Sequence, residues 1–377
     1  QKAFSRIKIL DFGACASVGG AVDDASVLED YMSSFKLRIR MGHYIILIIL
    51  STLCSFTHGG LFDNVISWYC DIYECCDNKR VPYNLPKLKS MISMRLQGQH
   101  IVENVVFNAI NSHMKKSKKP LVMSFHGANG VGKTYVSWMI AKAFFKKGEN
   151  SRFFHFYYGL QNFPNKEKVL EYQTQLKSDI EAALHSCERS MFVFDGVDQM
   201  PSQLLDALMP FIDCPNCAGK LEKNKSIFIF LTNTGSSAIE KQLLRKINDG
   251  INRENTTLQD FEKLIIDAAH NHSGGLFESL LIDSQAIDFY IPFLPLERRH
   301  VKYCIREALE EIVETPKLVT PDLVEKVFEE LRFGPEPEAL FSNSGCKRVA
   351  LIAGRLAAMK YTKFDYFNEE DNHRSEL

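Results

Sequence analysis

The sequence has no excess of charge of either sign. Its 45 Lys and Arg residues face 46 Asp and Glu, a net charge of −1. That balance excludes a protein drawn to nucleic acid or to an anionic membrane by its overall field. Internal repeats and low-complexity tracts are absent, so neither a repeat array nor a disordered linker is expected. The N-terminal apolar run, Tyr44 to Leu50, falls short of the roughly 20 residues needed to cross a bilayer alone. The chain does have 377 residues, 45% of them apolar and 24% charged. That is an ordinary globular composition, long enough for two domains and a sizeable core.

Residues 1–40 show no sustained period. Met41 then opens "MGHYIILIILSTLCSFTHGG", residues 41–60, where an apolar run gives way to small and polar residues. This is the layout of a secretory signal. The expectation is a non-translated or disordered extension over 1–40, a signal peptide over 41–60, and a mature chain beginning near Gly60 outside the cytoplasm. A buried strand, or an anchor resting on a membrane, is the alternative for that run. Asn224, Asn255 and Asn271 each begin an Asn-x-Ser/Thr acceptor, which matters in a secretory lumen. The closing "HRSEL" echoes retention tails of the endoplasmic reticulum. Ten cysteines suit an oxidising compartment, and setting aside Cys15 and Cys54 leaves eight. Eight cysteines allow 105 connectivities, and spacing does not choose among them.

Residues 61–84 form a Cys-rich, aromatic segment, and apolar residues recur at helical spacing from Leu85 to Met114. Strands and helices then alternate. "LVMSF", "RFFHFYY", "MFVFD", "SIFIFLTN" and "IDFYIPFLPL" read as strands. Lys133–Phe145, Lys166–Leu184, "SQLLDALMPFI" and patterns within Ser237–Ile265 read as helices. Continuous apolar strands between helices predict a parallel sheet buried on both faces. From residue 300 the pattern is all helical. The expected architecture is an α/β domain over 85–299 followed by a small helical lid over 300–377.

One motif on this frame carries chemistry. Gly127-Ala128-Asn129-Gly130-Val131-Gly132-Lys133-Thr134 lies between a strand and a helix. Such glycines let backbone N–H groups turn inward as an anion nest, with the positive end of a helix behind them. Lys133 supplies a charge for the outer phosphates, and the Thr134 hydroxyl suits Mg²⁺. The partner acid should end a neighbouring strand, and Asp195 does so 62 residues beyond Lys133. An Asp there would hold the metal directly or through water; helix N-capping is the bland alternative. Asn233, closing "FIFLTN", is placed to orient a water or touch the γ-phosphate, unless it is a plain turn residue. The guanine-reading Asn-Lys-x-Asp tetrapeptide is absent, so ATP is expected over GTP.

Together "GANGVGKTYVS", "FVFDGVDQM", "FIFLTNTG", "SLLIDSQAIDFYIPFLPLERRHVKYCIR" and "FSNSGCKRV" resemble the torsins, AAA+ ATPases of the endoplasmic-reticulum lumen and nuclear-envelope space. The likeness runs from about Trp68 to Lys347. It implies a P-loop AAA+ sheet with a helical lid, and ATP and Mg²⁺ as cofactors. Gly127 to Thr134 match Walker A, Asp195 the Walker B acid, Asn233 sensor 1 and Lys347 sensor 2. It also implies that Cys304 and Cys346 pair for redox control. By the same likeness the partners are the luminal domain of a transmembrane activator and other torsin-like subunits in a homo- or hetero-oligomer. Peripheral membrane association belongs to that picture, and nucleic acid does not.

Two positions depart from the family pattern. Thr134 stands where many animal torsins carry Asn, restoring a metal-binding hydroxyl. Gly196 stands where torsins carry the Glu that follows the Walker B Asp. Losing that carboxylate should slow hydrolysis by about 10²–10⁴-fold, by analogy with general-base losses. Asp198, three residues after Asp195, substitutes only if the chain turns helical there; otherwise it is a first-turn helix acid. Arg298 and Arg299 read as solvated helix-start arginines or as trans-acting fingers. Cys214 and Cys217 read as a local disulfide or free loop thiols. The expected function is ATP-dependent remodelling of proteins or membranes, with hydrolysis in question. The alternative is a non-hydrolysing, ATP-gated binding module partnered with an active torsin.

Overall fold

The computed structural model describes residues 59–116, 119–213, 225–313 and 318–360. The expectations for residues 1–40 and the run 44–50, and for Cys214, Cys217 and Asn224, lie outside them. Residues 1–69 and 70–377 are two separate units. Among the described residues, only the first part of helix α1 (Gly59–Tyr73) belongs to the former. No described helix is long and apolar enough to cross a membrane.

The sheet has five parallel strands: β1 (Leu121–His126), β2 (Phe154–Tyr158), β3 (Met191–Asp195), β4 (Ile227–Thr232) and β5 (Phe289–Pro292), in the order β2-β3-β4-β1-β5. Every residue of β1 and β4 is buried, because alternate side chains enter cores on opposite faces. Met123, Phe125, Val193, Ile229 and Leu231 enter one core. Val122, Phe192, Phe194, Phe228 and Phe230 enter the other. On that second face aromatic rings stack from strand to strand. His155 lies 4.9 Å from Phe192, which lies 4.8 Å from Phe228. Such ring pairs add about 0.5–1.5 kcal/mol each beyond their burial. Parallel registry also fixes the site, since Tyr158 pairs with Asp195 and Asp195 with Leu231.

Helices α2 (Leu85–Arg95) and α3 (His100–Lys116) precede the sheet, and α4 (Lys133–Phe144) follows β1. The Leu85–Met114 periodicity is therefore interrupted, with Gly98 at φ +71° in the break. Helix α5 (Val169–Ser186) follows β2, and α6 (Ser236–Asn248) and α7 (Glu262–Asn271) follow β4. "SQLLDALMPFI" is not one α-helix. It is a 3₁₀ stretch, Leu204–Leu208, then a short turn, Met209–Ile212. Gln203 takes a left-handed φ of +65° at its start, and Pro210 removes a backbone donor inside it. The strand expected over 287–296 shrinks to Phe289–Pro292, with Pro292 and Pro295 bounding the loop after it.

The C-terminal part is not all helical. Helices α8 (Arg298–Ile312) and α9 (Pro321–Glu329) are followed by a small antiparallel pair, β6 (Phe333–Gly334) and β7 (Phe341–Ser342). Helix α10 covers residues 349–360, so Lys347 sits in the turn before it. Arg298 lies over the Phe333 ring at 4.5 Å, and Arg299 pairs with Glu254 and Glu297. Neither is merely solvated.

Three disulfides join described cysteines: Cys70–Cys75, Cys76–Cys187 and Cys304–Cys346. The second spans 111 residues and ties the Cys-rich segment to the end of α5. A cross-link over that span strongly restricts the unfolded chain. Replacing Cys76 and Cys187 together by serine is expected to lower stability by about 2–4 kcal/mol. Urea unfolding under oxidising conditions measures it, and an unchanged midpoint would contradict this role.

Candidate functional site

The ends of β2, β3 and β4, the loop after β1 and the lid helices line a cleft of about 700 Å³. Asn129, Gly130, Val131, Gly132, Lys133 and Thr134 form one wall, Asp195 and Asn233 the next, and Cys346 and Lys347 the roof. Gly127 and Ala128 lie below, where their carbonyls face Lys133. The residues singled out in sequence for phosphate chemistry therefore converge. Four separate segments supply them: the glycine loop, the ends of β3 and β4, and the lid turn.

The glycine loop closes over α4 because its chain must bend where side chains do not fit. Gly130, at φ +77°, packs against the lid, and a Cβ there would overlap the Ser344 carbonyl oxygen and lie 2.8 Å from the Lys347 nitrogen. In return the Cys346 N–H donates to the Gly130 carbonyl at 2.9 Å. Lys133, the first residue of α4, is buried and donates from Nζ to the carbonyls of Gly127 (2.6 Å) and Ala128 (2.8 Å) and to Asn233 Oδ1 (3.0 Å). Burial pushes its ammonium down to about 8; the carboxylates of Asp195 and Asp198 oppose that shift, and Lys347 adds to it. A buried cation held by carbonyls rather than a carboxylate is primed for an anion.

Thr134 Oγ donates to Asp195 Oδ2 at 3.0 Å. Burial raises the Asp195 carboxyl above its ordinary value, against the Thr134 hydrogen bond and the Lys133 charge. A hydroxyl and a carboxylate side by side at a phosphate loop are hard oxygen donors, the set that Mg²⁺ prefers. Thr134 and Asp195 are the residues that would hold it.

Gly196 follows in the left-handed region at φ +75°, ψ +42°. It turns the chain into a short 3₁₀ helix, Val197–Gln199. Asp198, the acid in the first turn of that helix, is thereby directed at the end of β4. Its Oδ1 accepts from the Asn233 N–H (3.0 Å) and the Thr232 hydroxyl (3.2 Å), and its Oδ2 from Asn233 Nδ2 (3.3 Å). Nearby, His126 is fully buried, its Nδ1 on the Thr234 carbonyl and its Nε2 on the Ser124 hydroxyl. Burial brings it down to about 4, so it stays neutral at ordinary pH.

The far end of the cleft was not legible in the sequence. Leu96 from the α2–α3 loop, Tyr135 and Trp138 on α4, and Glu307, Ala308 and Glu311 on α8 line it. Tyr135 donates to Glu307 Oε1 at 3.3 Å. The available signal was spacing, since Cys304, Glu307, Ala308 and Glu311 share one face of α8. Cys304 and Cys346 are bonded (Cα–Cα 6.1 Å) and both border the cleft. Asn255 and Asn271 are exposed, as carriers of a glycan must be.

A parallel sheet in this order, a glycine loop opening a helix and a small lid define a P-loop protein of the AAA+ class. Solved structures agree at the level of fold. The S. cerevisiae Hsp104–ADP complex matches with a TM-score of 0.51 at 15% identity over 77% of this chain. A closed-state cryo-EM reconstruction of Hsp104 with ATPγS and FITC casein matches with a TM-score of 0.50, also at 15% identity and 77% coverage. This chain spans about half of each, 48%. Closer kinship comes from sequence. The Torsin family model matches residues 70–194, and that of the Torsin-1A C-terminal domain matches 296–356. A torsin-like protein of Caenorhabditis elegans is 39% identical over 282 residues, 74% of this chain and 79% of the relative. One of Drosophila melanogaster is 38% identical over 283 residues, 74% and 83%. The chain belongs to the torsin family.

The Lys133 environment generates a pH dependence. A bound phosphate raises the ammonium's pKa above the free value of about 8, so binding takes up a proton above that pH. Affinity for a triphosphate should be full below pH 8 and then fall, by up to about tenfold per pH unit. Calorimetry at several pH values on either side of 8 checks it; a flat profile would sink the assignment of Lys133.

Proposed function

We propose that this torsin binds ATP with Mg²⁺ and uses it to remodel proteins or membranes in the lumen of the endoplasmic reticulum and the perinuclear space. The observation that carries the nucleotide reading is the pairing of Thr134 with Asp195 beside a buried, carbonyl-held Lys133. Lys133 and the loop's amides grip the outer phosphates; Thr134 and Asp195 hold the metal, which supplies charge neutralisation when bound. Asn233 reads the terminal phosphate from below and Lys347 from the lid. Only a closed lid presents both together, so ATP favours closure over an open state by its differential contacts. The base end, walled by Leu96, Tyr135, Trp138 and α8, takes the adenosine.

The compartment rests on the signal-like residues 41–60, the exposed acceptors Asn255 and Asn271 and the three disulfides. The partners are the luminal domain of a transmembrane activator and further torsin-like subunits. The Cys304–Cys346 bond links α8 to the turn bearing Lys347, so its reduction frees the roof and gives redox control of the same site.

Gly196 and the engagement of Asp198 favour a second reading, a non-hydrolysing, ATP-gated module partnering an active torsin. With no carboxylate at 196 to orient water, closure rather than turnover is then the output. In both readings Lys133→Ala should weaken Mg-ATP binding at least 100-fold by calorimetry. Retention of wild-type affinity by K133A would overturn both.

Hydrolysis separates the two. A Cβ at Gly196 meets nothing closer than Gln199 Oε1 at 3.4 Å, so Gly196→Glu fits apart from a left-handed strain of about 1–2 kcal/mol. Single-turnover hydrolysis should rise about 10²–10⁴-fold in G196E. Wild-type turnover on addition of a luminal activator domain would favour the remodelling ATPase; none with or without it favours the module.

A further inference from the structure

Asn233 is held at three points, and one of them belongs to no expected role. Its Oδ1 accepts from the Lys133 ammonium at 3.0 Å, while its Nδ2 and its backbone N–H both donate to Asp198, at 3.3 and 3.0 Å. A side-chain amide can turn over, exchanging its oxygen and nitrogen, wherever its neighbours permit either. Here they do not. An ionised carboxylate only accepts and an ammonium only donates. The turned-over amide would set Oδ1 against the carboxylate and Nδ2 against the ammonium, so one orientation is satisfied and the other is doubly opposed.

Asp198 is itself held in place. The left-handed Gly196 and the short 3₁₀ helix bring its carboxylate to the end of β4. Gly274 lies against its main chain, where a Cβ would come within 2.9 Å of the Asp198 Cα. The Gly275 N–H donates to the Val197 carbonyl at 2.8 Å, pinning the same turn. Thr232 supplies a third hydrogen bond to the carboxylate.

We propose that Asp198 is a positioning residue that sets the polarity of the Asn233 amide, and so decides whether this site distinguishes a triphosphate from a diphosphate. With Asp198 taking one Nδ2 hydrogen, the second is left as a donor for the terminal phosphate, and Oδ1 stays on Lys133. The inference deepens the nucleotide reading and rests on it. It also gives the acid of "DGVDQM" work that does not depend on the carboxylate missing at 196.

Asp198→Asn keeps the shape and the acceptor for the Asn233 N–H but faces Nδ2 with an NH₂ group, releasing the amide. Dissociation constants of Mg-ATP and Mg-ADP should be measured calorimetrically for the unaltered chain, D198N, N233A and the double variant. D198N and N233A are each expected to reduce the preference for ATP over ADP about tenfold, with ADP affinity within about twofold. The double variant should be no worse than N233A alone. Thr232→Val, which removes a hydroxyl bonded to Asp198 and Thr234 but to no atom of Asn233, should keep the preference. Equal losses of ATP and ADP affinity in D198N, additive losses in the double variant, an unfolded D198N, or an unaltered chain without preference for ATP would each overturn the positioning role. If the unaltered chain binds neither nucleotide, the nucleotide reading itself falls, and this role with it.

Discussion

The cleft exists because two backbones touch. The Cys346 N–H reaches the Gly130 carbonyl at 2.9 Å, and no side chain fits between the glycine loop and the lid turn there. A Cβ on Gly345 would lie 2.5 Å from the Gly130 carbonyl carbon, just as one on Gly130 would crowd Lys347. Main-chain contact at this distance sets the height of the roof over the phosphate loop. Lys347 enters the cleft because of it, and the Cys304–Cys346 bond fastens the same turn to α8.

The junction beneath that roof is held by buried polar groups rather than by apolar packing alone. Arg253, almost fully buried, donates to the Gly98 carbonyl at 2.6 Å and the Pro295 carbonyl at 2.7 Å, and pairs with Glu297. Burial lowers its guanidinium to about 10, with Glu297 opposing, so it stays charged. Gln99 donates to the carbonyls of Val131 and Leu294 and accepts the Leu294 N–H. These bonds connect the α2–α3 break, the glycine loop and the start of the lid. Each is replaceable only at the desolvation cost of a stranded partner. The lid's starting position is thereby tied to the wall that takes the adenosine in our reading.

Electrostatically the site is one buried ammonium shared among carbonyls, an amide and two nearby carboxylates. Asp195 faces Thr134 and Asp198 faces Asn233, though only three residues separate them. Gly196 makes that divergence possible, since a left-handed residue reverses the chain within one step. In our reading, the residue that stands where the family carries a Glu is thus the same one that aims the next acid at Asn233.

Much of this was legible in the residues. Apolar runs marked all five strands, and Gly127 to Thr134, Asp195 and Asn233 were picked out on their chemistry and placed at strand ends. Two of the errors share a cause. "SQLLDALMPFI" and the expected last strand carry regular apolar spacing, but Pro210, Pro292 and Pro295 withdraw backbone donors that periodicity does not register. The β6–β7 pair is two residues a side, too short to leave a pattern. Asp198 is the first-turn acid that its position after Asp195 suggests, but three-residue spacing cannot show that its carboxylate meets Asn233.

The sequence by itself determined the local chemistry: which loop can turn its amides inward, which strands are buried on both faces, and where a glycine follows the acid that ends β3. These follow from residue type and short-range spacing. Only the tertiary structure decided which cysteines pair, that Lys347 hangs over Lys133, and that Asp198 belongs to Asn233. Apart from the local Cys70–Cys75 bond, those are contacts between segments 35 to more than 200 residues apart, and they are set by how the two cores pack and how closely glycine lets the backbones approach.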